Sequence, residues 1–326
     1  MGRIFKENCG YIKEIKLKKL KEILKNPVYY LIILIGKYLP DNLSCNKFYL
    51  KILYRNKLKK KLDIENPKTF NEKIQWLKLY DRNPEYTKMV DKYEVKKYVK
   101  NLIGEEYIID TLGIYDTFDD IDFSKLPDKF VLKCTHDSGG VVVCKDKETI
   151  DVKKCRKKFK KLLRRNYFYN GREFPYKNVK PRIIVEPFMS DGVNEDLLDY
   201  KFMCFNGKVK CSFVCSERRS EKGLAVDFFD NNWNHLPFER HYRNLGKEIK
   251  KPDNLEKMIV LAEKLSKGIS FVRVDFYDIN GNIFFGEMTF YPGSGLEEFN
   301  PEDWDYKLGE LITIKKDDEN EKDSIC

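Results

Sequence analysis

The alternation of apolar and polar positions is clearest from residue 271 to 299, FVRVDFYDINGNIFFGEMTFYPGSGLEEF. Phe271–Tyr277 and Ile283–Met288 are apolar, β-branched and aromatic, and between them lies Asn280-Gly281, a dipeptide suited to a two-residue turn. The pattern predicts a β-hairpin. Side-chain alternation places Arg273 and Asp275 on one face of its first strand, and Glu287 and Thr289 on one face of its second. Two carboxylates brought together in an apolar hairpin repel each other. A divalent cation relieves that repulsion, and oxygen ligands of this kind suit Mg²⁺ bridging to phosphate. An ion pair between Arg273 and the acids on a solvated face would satisfy the same residues.

Earlier in the chain the period is helical. Residues 11–24 set Ile12, Ile15, Leu20, Ile23 and Leu24 between lysines as an amphipathic helix, and residues 28–60 continue mostly helical with a break at Pro40-Asp41. Thr69 followed by Glu72 predicts a capping box for a helix through Tyr80, with Trp76 and Leu79 toward the core. Asp91-Lys92 opens a further helix to about residue 102, stopped by Gly104.

From residue 107 strands take over. Tyr107–Leu112, Phe130–Cys134 and Val141–Cys144 read as strands, the last two joined by Thr135-His136-Asp137-Ser138-Gly139-Gly140. Such a loop exposes backbone N–H groups that can cradle phosphate, with Lys133 beside it; a hairpin turn with a surface lysine fits equally. Residues 146–166 are expected as a lysine-rich helix, and Pro181–Met189 as a strand. Because Pro187 has no N–H, that strand must run at a sheet edge or leave its ladder there. Tyr200–Phe205 and Lys208–Val214 form a second hairpin carrying Lys201. Asp253–Lys267 is a helix with Asp253 and Glu256 as its capping box, and the polar tail from Lys315 is expected to be disordered.

Composition refines this picture. With 326 residues, 42% hydrophobic and 14% aromatic, the chain is globular and large enough for two or three lobes. The net charge of +10 is concentrated: residues 1–61 hold 16 Lys and Arg against Glu7, Glu14, Glu22 and Asp41, a balance of +12. Such a segment can meet an anionic membrane surface, a polyanionic saccharide or nucleic acid, or be a solvated face. No nucleic-acid module accompanies it, so no nucleic-acid partner is expected. Nine cysteines without a C-x-x-C pair point to a reducing compartment rather than a disulfide framework. No cleavable leader is expected, and the run VYYLIILI is too short to span a bilayer. These features predict a cytoplasmic protein, peripheral at most at the inner face of the membrane.

In order along the chain stand Lys92, Lys133 before Ser138-Gly139-Gly140, then Glu186-Pro187-Phe188-Met189, Arg273-x-Asp275, Glu287-x-Thr289 and Pro292-Gly293. This series resembles the ATP-grasp superfamily. KTFNEKIQWLKLYDRNPEYTKMVDKYEVKKYV, LPDKFVLKCTHDSGG and GEMTFYPGSG are similar to its TupA-like branch, named for teichuronopeptide synthesis, across roughly residues 60–311.

The resemblance implies an α+β fold in which two lobes sandwich ATP, behind a mainly helical basic N-terminal region. The expected division is 1–90 helical, 91–190 small lobe, 191–314 C-terminal lobe and 315–326 tail. It implies ATP and Mg²⁺ as cofactors and a carboxylate–amine ligase activity. By position, Lys92 and Lys133 contact the phosphates and the loop from Ser138 through Gly139 to Gly140 closes over them. Pro187 and Met189 read adenine through their backbone, with Glu186 and Phe188 bordering the pocket. Lys201 is a further nucleotide contact, Arg273 stabilises charge on the transferred phosphoryl group, and Asp275, Glu287 and Thr289 hold Mg²⁺. The family often has asparagine where this chain has Thr289, and the usual leading lobe looks replaced by the basic segment. The expected partners are a small-molecule or saccharide carboxylate, such as an acidic sugar of a surface polysaccharide, and an amine or amino acid. Two rivals remain: a glycosyltransferase using Asp120-x-Asp122 or Asp303-x-Asp305, and a non-catalytic polyanion- or membrane-binding protein.

Overall fold

The structure, a computed structural model, describes residues 24, 26–192, 197–217, 220 and 223–314. The expected helix at 11–24, apart from its last residue, and the expected disordered tail lie outside them. The chain divides into two compact units, residues 1–62 and 63–326.

In the first unit, α1 (Pro27–Tyr38) and α2 (Leu43–Leu58) are separated at the predicted Pro40-Asp41 break. The Oδ1 atoms of Asn26 and Asn42 accept from Tyr29 N and Cys45 N at 3.1 and 2.9 Å, satisfying N–H groups that a helix start leaves open. The helices approach at Gly36, where a Cβ would lie 2.5 Å from the Tyr49 ring.

The second unit contains the helices α3 (Phe70–Tyr80), α4 (Glu85–Val90), α5 (Val95–Ile103), α6 (Val152–Leu162), α7 (Phe168–Gly171), α8 (Leu255–Ser266) and α9 (Asp303–Glu310). Its first sheet holds β1 (Gly113–Tyr115), β2 (Phe130–Cys134), β3 (Val141–Cys144) and β4 (Ile183–Pro187), in the order β1-β4-β2-β3. Its second holds β5 (Asp199–Phe205), β6 (Lys208–Ser216), β7 (Ala225–Phe229), β9 (Phe271–Ile279) and β10 (Asn282–Thr289), in the order β10-β9-β5-β6-β7. The short strands β8 (Glu239–Arg240) and β11 (Phe299–Asn300) pair with each other. Apolar side chains separate into two clusters. One is built around the second sheet, α3 and α8, with Phe202, Val274 and Phe276 fully buried; the other joins the first sheet to α6 through Phe130, Leu132 and Phe159. Burial of this kind is the main favourable term holding each layer.

The Thr69 capping box forms as predicted: Thr69 Oγ1 accepts from Glu72 N at 3.2 Å and Glu72 Oε2 from Thr69 N at 3.1 Å. Three expectations need correction. Residues 107–112 are not a strand. A 3₁₀ turn covers Glu105–Tyr107 and pairing begins only at Gly113, because Lys96 Nζ takes the Ile109 carbonyl at 2.7 Å. The lysine-rich helix is shorter than 146–166, since Asp151 caps it at Lys154 N and Asp146 caps a separate 3₁₀ turn, Lys147–Thr149. Asp253 and Glu256 do not form a capping box for α8, because lysines claim them: Lys250 reaches Asp253 at 3.4 Å and Lys251 reaches Glu256 at 2.5 Å. Of the two arrangements expected at Pro187, the structure has the second: β4 is an interior strand, and it leaves its ladder at Pro187, which has no N–H to donate.

Candidate functional site

The late hairpin builds one wall of the site. Asn280 and Gly281 both have positive φ, 51° and 82°, so the turn has the primed geometry that matches strand twist. From that turn Asn282 pairs with Ile279, and a regular ladder would bring Glu287 opposite Val274, facing away from Asp275. A β-bulge between Phe285 and Glu287 inserts Gly286, shifts the register by one, and sets Glu287 opposite Asp275 and Thr289 opposite Arg273. Gly286 suits this place: a Cβ there would lie 3.1 Å from the Asp275 carbonyl oxygen. On the other side β5 pairs Lys201 with Asp275 and Asp199 with Tyr277. Directly opposed residues share a face, so Asp199, Lys201, Asp275 and Glu287 lie together.

Their charges alternate in contact. Arg273 donates from Nε to Asp275 Oδ1 and from an Nη to Oδ2, both at 2.7 Å, and to Glu287 Oε1 at 2.6 Å. Lys201 Nζ lies 2.5 Å from both Asp275 Oδ2 and Asp199 Oδ2. Thr289 Oγ1 donates to Glu287 Oε1 at 3.3 Å. Burial opposes the charge on Lys201 and Arg273, but Asp275 leads the acids that outweigh it, and both cations are held above their ordinary values. Burial likewise works to raise Glu287; Arg273, Lys92, Lys201 and Lys133 together overcome it and bring the carboxyl to about 2.

The first sheet supplies the opposite wall. The Glu186 carboxylate, 6% exposed, sits between Lys133 and Lys96, each at 2.6 Å. Burial alone would raise its pKa, but the two lysines reverse the direction and hold it below the usual carboxylate range. Lys92 Nζ donates to the Asp137 carbonyl at 3.0 Å, tying the turn before α5 to the loop that carries Gly139 and Gly140. Lys92, Lys133, Ser138, Gly139, Glu186, Lys201, Asp275 and Glu287 line one cavity of about 280 Å³. Arg273 and Thr289 touch its acids, whereas Gly140, Pro187, Phe188 and Met189 do not line it. Gly140 instead supplies the carbonyl that accepts from Cys134 N, and Phe188 lies 6.0 Å from Lys145 Nζ. Lys96, Asp199 and Tyr277 line the cavity without having been singled out in the sequence. Their signal was spacing: Lys96 is one helical turn beyond Lys92, and Asp199 and Tyr277 lie two residues from Lys201 and Asp275.

The acids of the two D-x-D pairs are engaged elsewhere. Asp120 and Asp122 cap Thr117 and Ser124, Asp303 pairs with Lys307, and Asp305 accepts from Asn71 N at 2.9 Å. None lines the cavity.

The family described as TupA-like ATPgrasp matches residues 72–313. The chain belongs to the TupA-like ATP-grasp family. The fold is therefore an α+β ATP-grasp fold. Among solved structures, the chain is similar to the D-alanine–D-alanine ligase of Bacillus anthracis in its ATP complex (16% identity, 62% of this chain and 53% of that one, TM-score 0.34). It is also similar to N5-carboxyaminoimidazole ribonucleotide synthetase in its ADP complex (13%, 76% and 56%, TM-score 0.42). A third is the biotin carboxylase of Campylobacter jejuni with β,γ-ATP (14%, 70% and 47%, TM-score 0.39). The chain spans about half the length of these proteins. No curated protein matches it.

Proposed function

We propose that this TupA-like ATP-grasp protein is an ATP-dependent carboxylate–amine ligase that works through an acyl phosphate. The observation that carries the reading is the single cavity lined by Lys92, Lys133 and Lys201 from three separate elements and by the Asp275–Glu287 pair. Residues 91–190 and 191–314 are taken as the two lobes that hold the nucleotide between them. Lys92 and Lys133 would meet its phosphates, the Ser138–Gly140 loop would cover them, and residues 186–189 would border the adenine.

Glu287 fits Mg²⁺: it is a hard oxygen donor and keeps one carboxylate oxygen that takes no hydrogen bond among the described residues, whereas both oxygens of Asp275 already accept from Arg273 or Lys201. Bound there, Mg²⁺ would neutralise charge on the phosphoryl oxygens. A carboxylate is a poor electrophile until it is phosphorylated, and an amine can then displace phosphate. Both steps gather negative charge on oxygen, so Arg273 and Lys201, locked beforehand by Asp275 and Glu287, stabilise it without reorganising.

The acceptor we favour is an acidic sugar of a surface polysaccharide, joined to an amino acid or amine, with the protein placed at the inner membrane face by its basic residues 1–61. The test is ADP release by the purified chain with a panel of uronates and amines. Stimulation by one pairing supports the reading; Mg-ATP binding with no stimulating pair overturns it.

A further inference from the structure

The first unit carries a surface that the ATP site does not use. Around α1, Ile32 and Gly36 are buried, and Gly36 lies against Tyr49. On the other side Val28, Leu31, Leu34, Ile35 and Tyr38 are exposed by 55, 56, 49, 37 and 82%. At about 100° per residue these five fall within an arc about 120° wide, a continuous apolar strip of the helix turned outward. On α2, Leu43 and Phe48 are also 45 and 56% exposed. Contiguous exposed apolar surface of this kind marks an interaction site.

The charge of the same unit identifies the occupant. Its described residues hold eight Lys and Arg, at 37, 47, 51, 55, 57, 59, 60 and 61, against Asp41 alone, a balance of +7. Lys37 is on α1 itself, exposed and about 60° beyond the edge of that arc, and Lys57 Nζ rests 4.1 Å from the centre of the Tyr29 ring, on the flank of α1 that carries Ile32 and Gly36. A protein partner of the apolar stripe would not require this excess. A bilayer rich in anionic lipid takes both features, the stripe among the acyl chains and the lysines among the headgroups. None of the described helices is long and apolar enough to cross a membrane, and α1 is about 18 Å long against a hydrocarbon core of about 30 Å.

We infer that the outward face of α1 is a membrane-docking surface that lies in the headgroup layer of an anionic bilayer, with the lysines of the same unit holding the lipid phosphates. This deepens the membrane placement proposed above by naming its surface, and it stands independently of the chemistry at the ATP site.

The test is flotation of the full chain with phosphatidylcholine vesicles, with or without phosphatidylglycerol, at low and high salt. Binding is expected only with the anionic vesicles and is expected to weaken as salt rises. Leu31→Gln with Ile35→Gln is expected to lower partitioning about tenfold or more, since two apolar side chains leave the acyl layer. Lys57→Gln, Lys60→Gln and Lys61→Gln together are expected to abolish the preference for anionic lipid. Because these lysines are exposed, that variant keeps the test decisive if the first fails to fold. ADP release without vesicles reads the ligase separately and is expected to stay unchanged in both variants. The inference is overturned if the wild-type chain does not float with anionic vesicles, if both variants float equally well, or if sedimentation shows a dimer held by the stripe in place of lipid binding.

Discussion

Lys78 Nζ donates to both the carbonyl and the hydroxyl oxygen of Ser294 at 2.7 Å, a contact that joins residues 216 positions apart. The third donor goes to Gln75 Oε1 at 3.1 Å, and Gln75 Nε2 in turn holds the Ser294 and Gly295 carbonyls. Burial lowers the Lys78 ammonium to about 8 despite the opposing Glu173, and raises Glu173 despite Lys78. Lys78→Met would leave Glu173 buried without its counter-charge and strip the Ser294 turn of its main partner. The expected loss is about 3–5 kcal/mol of stability, read by denaturant melts. A loss below about 1 kcal/mol would mean that the network carries little.

The same joint makes a prediction about glycine. Gly293, Ser294 and Gly295 form three consecutive left-handed residues, with φ of 58°, 57° and 60°. A Cβ on Gly295 would fall 2.5 Å from Ile74 Cγ2 and 2.6 Å from Gln75 Nε2, whereas one on Gly281, φ 82°, meets nothing within 4 Å. Gly281→Ala therefore carries only the conformational penalty, about 1 kcal/mol. Gly295→Ala adds overpacking of about 1–3 kcal/mol and is expected to melt clearly lower. Equal melting temperatures would contradict the close packing.

Glu186 lies between Lys96 and Lys133 at equal distances of 2.6 Å, so the three side chains respond unequally to substitution. Glu186→Gln leaves two half-buried ammonium groups facing each other and is expected to cost about 3–5 kcal/mol. Lys133→Ala leaves Glu186 with Lys96, so the fold should survive while ATP turnover is lost. Melting curves with and without Mg-ATP separate the cases: Lys133→Ala should lose the nucleotide-induced shift more than it loses basal stability.

Much of this arrangement was legible in the sequence, and the rest had physical reasons to stay hidden. Asn280-Gly281 fixed the hairpin, because only such residues tolerate two successive positive φ angles. The facing of Asp275 and Glu287 was anticipated, but alternation alone does not produce it; the bulge at Gly286 does, and a single strand glycine is a weak sign of one. Trp76 drew attention as a core residue of α3, yet it is only partly buried, while Asn71, Gln75 and Lys78, spaced i, i+4 and i+7, are exposed by 1, 0 and 0%. That polar stripe was visible, but its partners lie more than two hundred residues later: the Ser294 turn takes Gln75 and Lys78, and Asp305 with the Glu297 carbonyl takes Asn71. The short β1 was misplaced because its apolar neighbours Ile108 and Ile109 line the cavity instead of joining a ladder.

Glu287 gives the last prediction its direction. Its carboxyl titrates at about 2 in the fold against an ordinary 4.5. The unfolded chain thus binds the proton more readily, and Glu287 contributes stability that is complete above about pH 4.5 and drains as pH falls toward about 2. Glu287→Gln removes that contribution while keeping shape and size. The wild type is expected to melt above the variant by a constant margin from about pH 7 to 5, and the margin should shrink below about pH 4.5. At neutral pH the variant should also lose ADP release, because an amide oxygen is a weaker Mg²⁺ ligand than a carboxylate and no longer balances Arg273. A margin that persists unchanged to about pH 3 would show that side-chain shape, rather than the charge facing Arg273, Lys92, Lys201 and Lys133, holds this corner of the site.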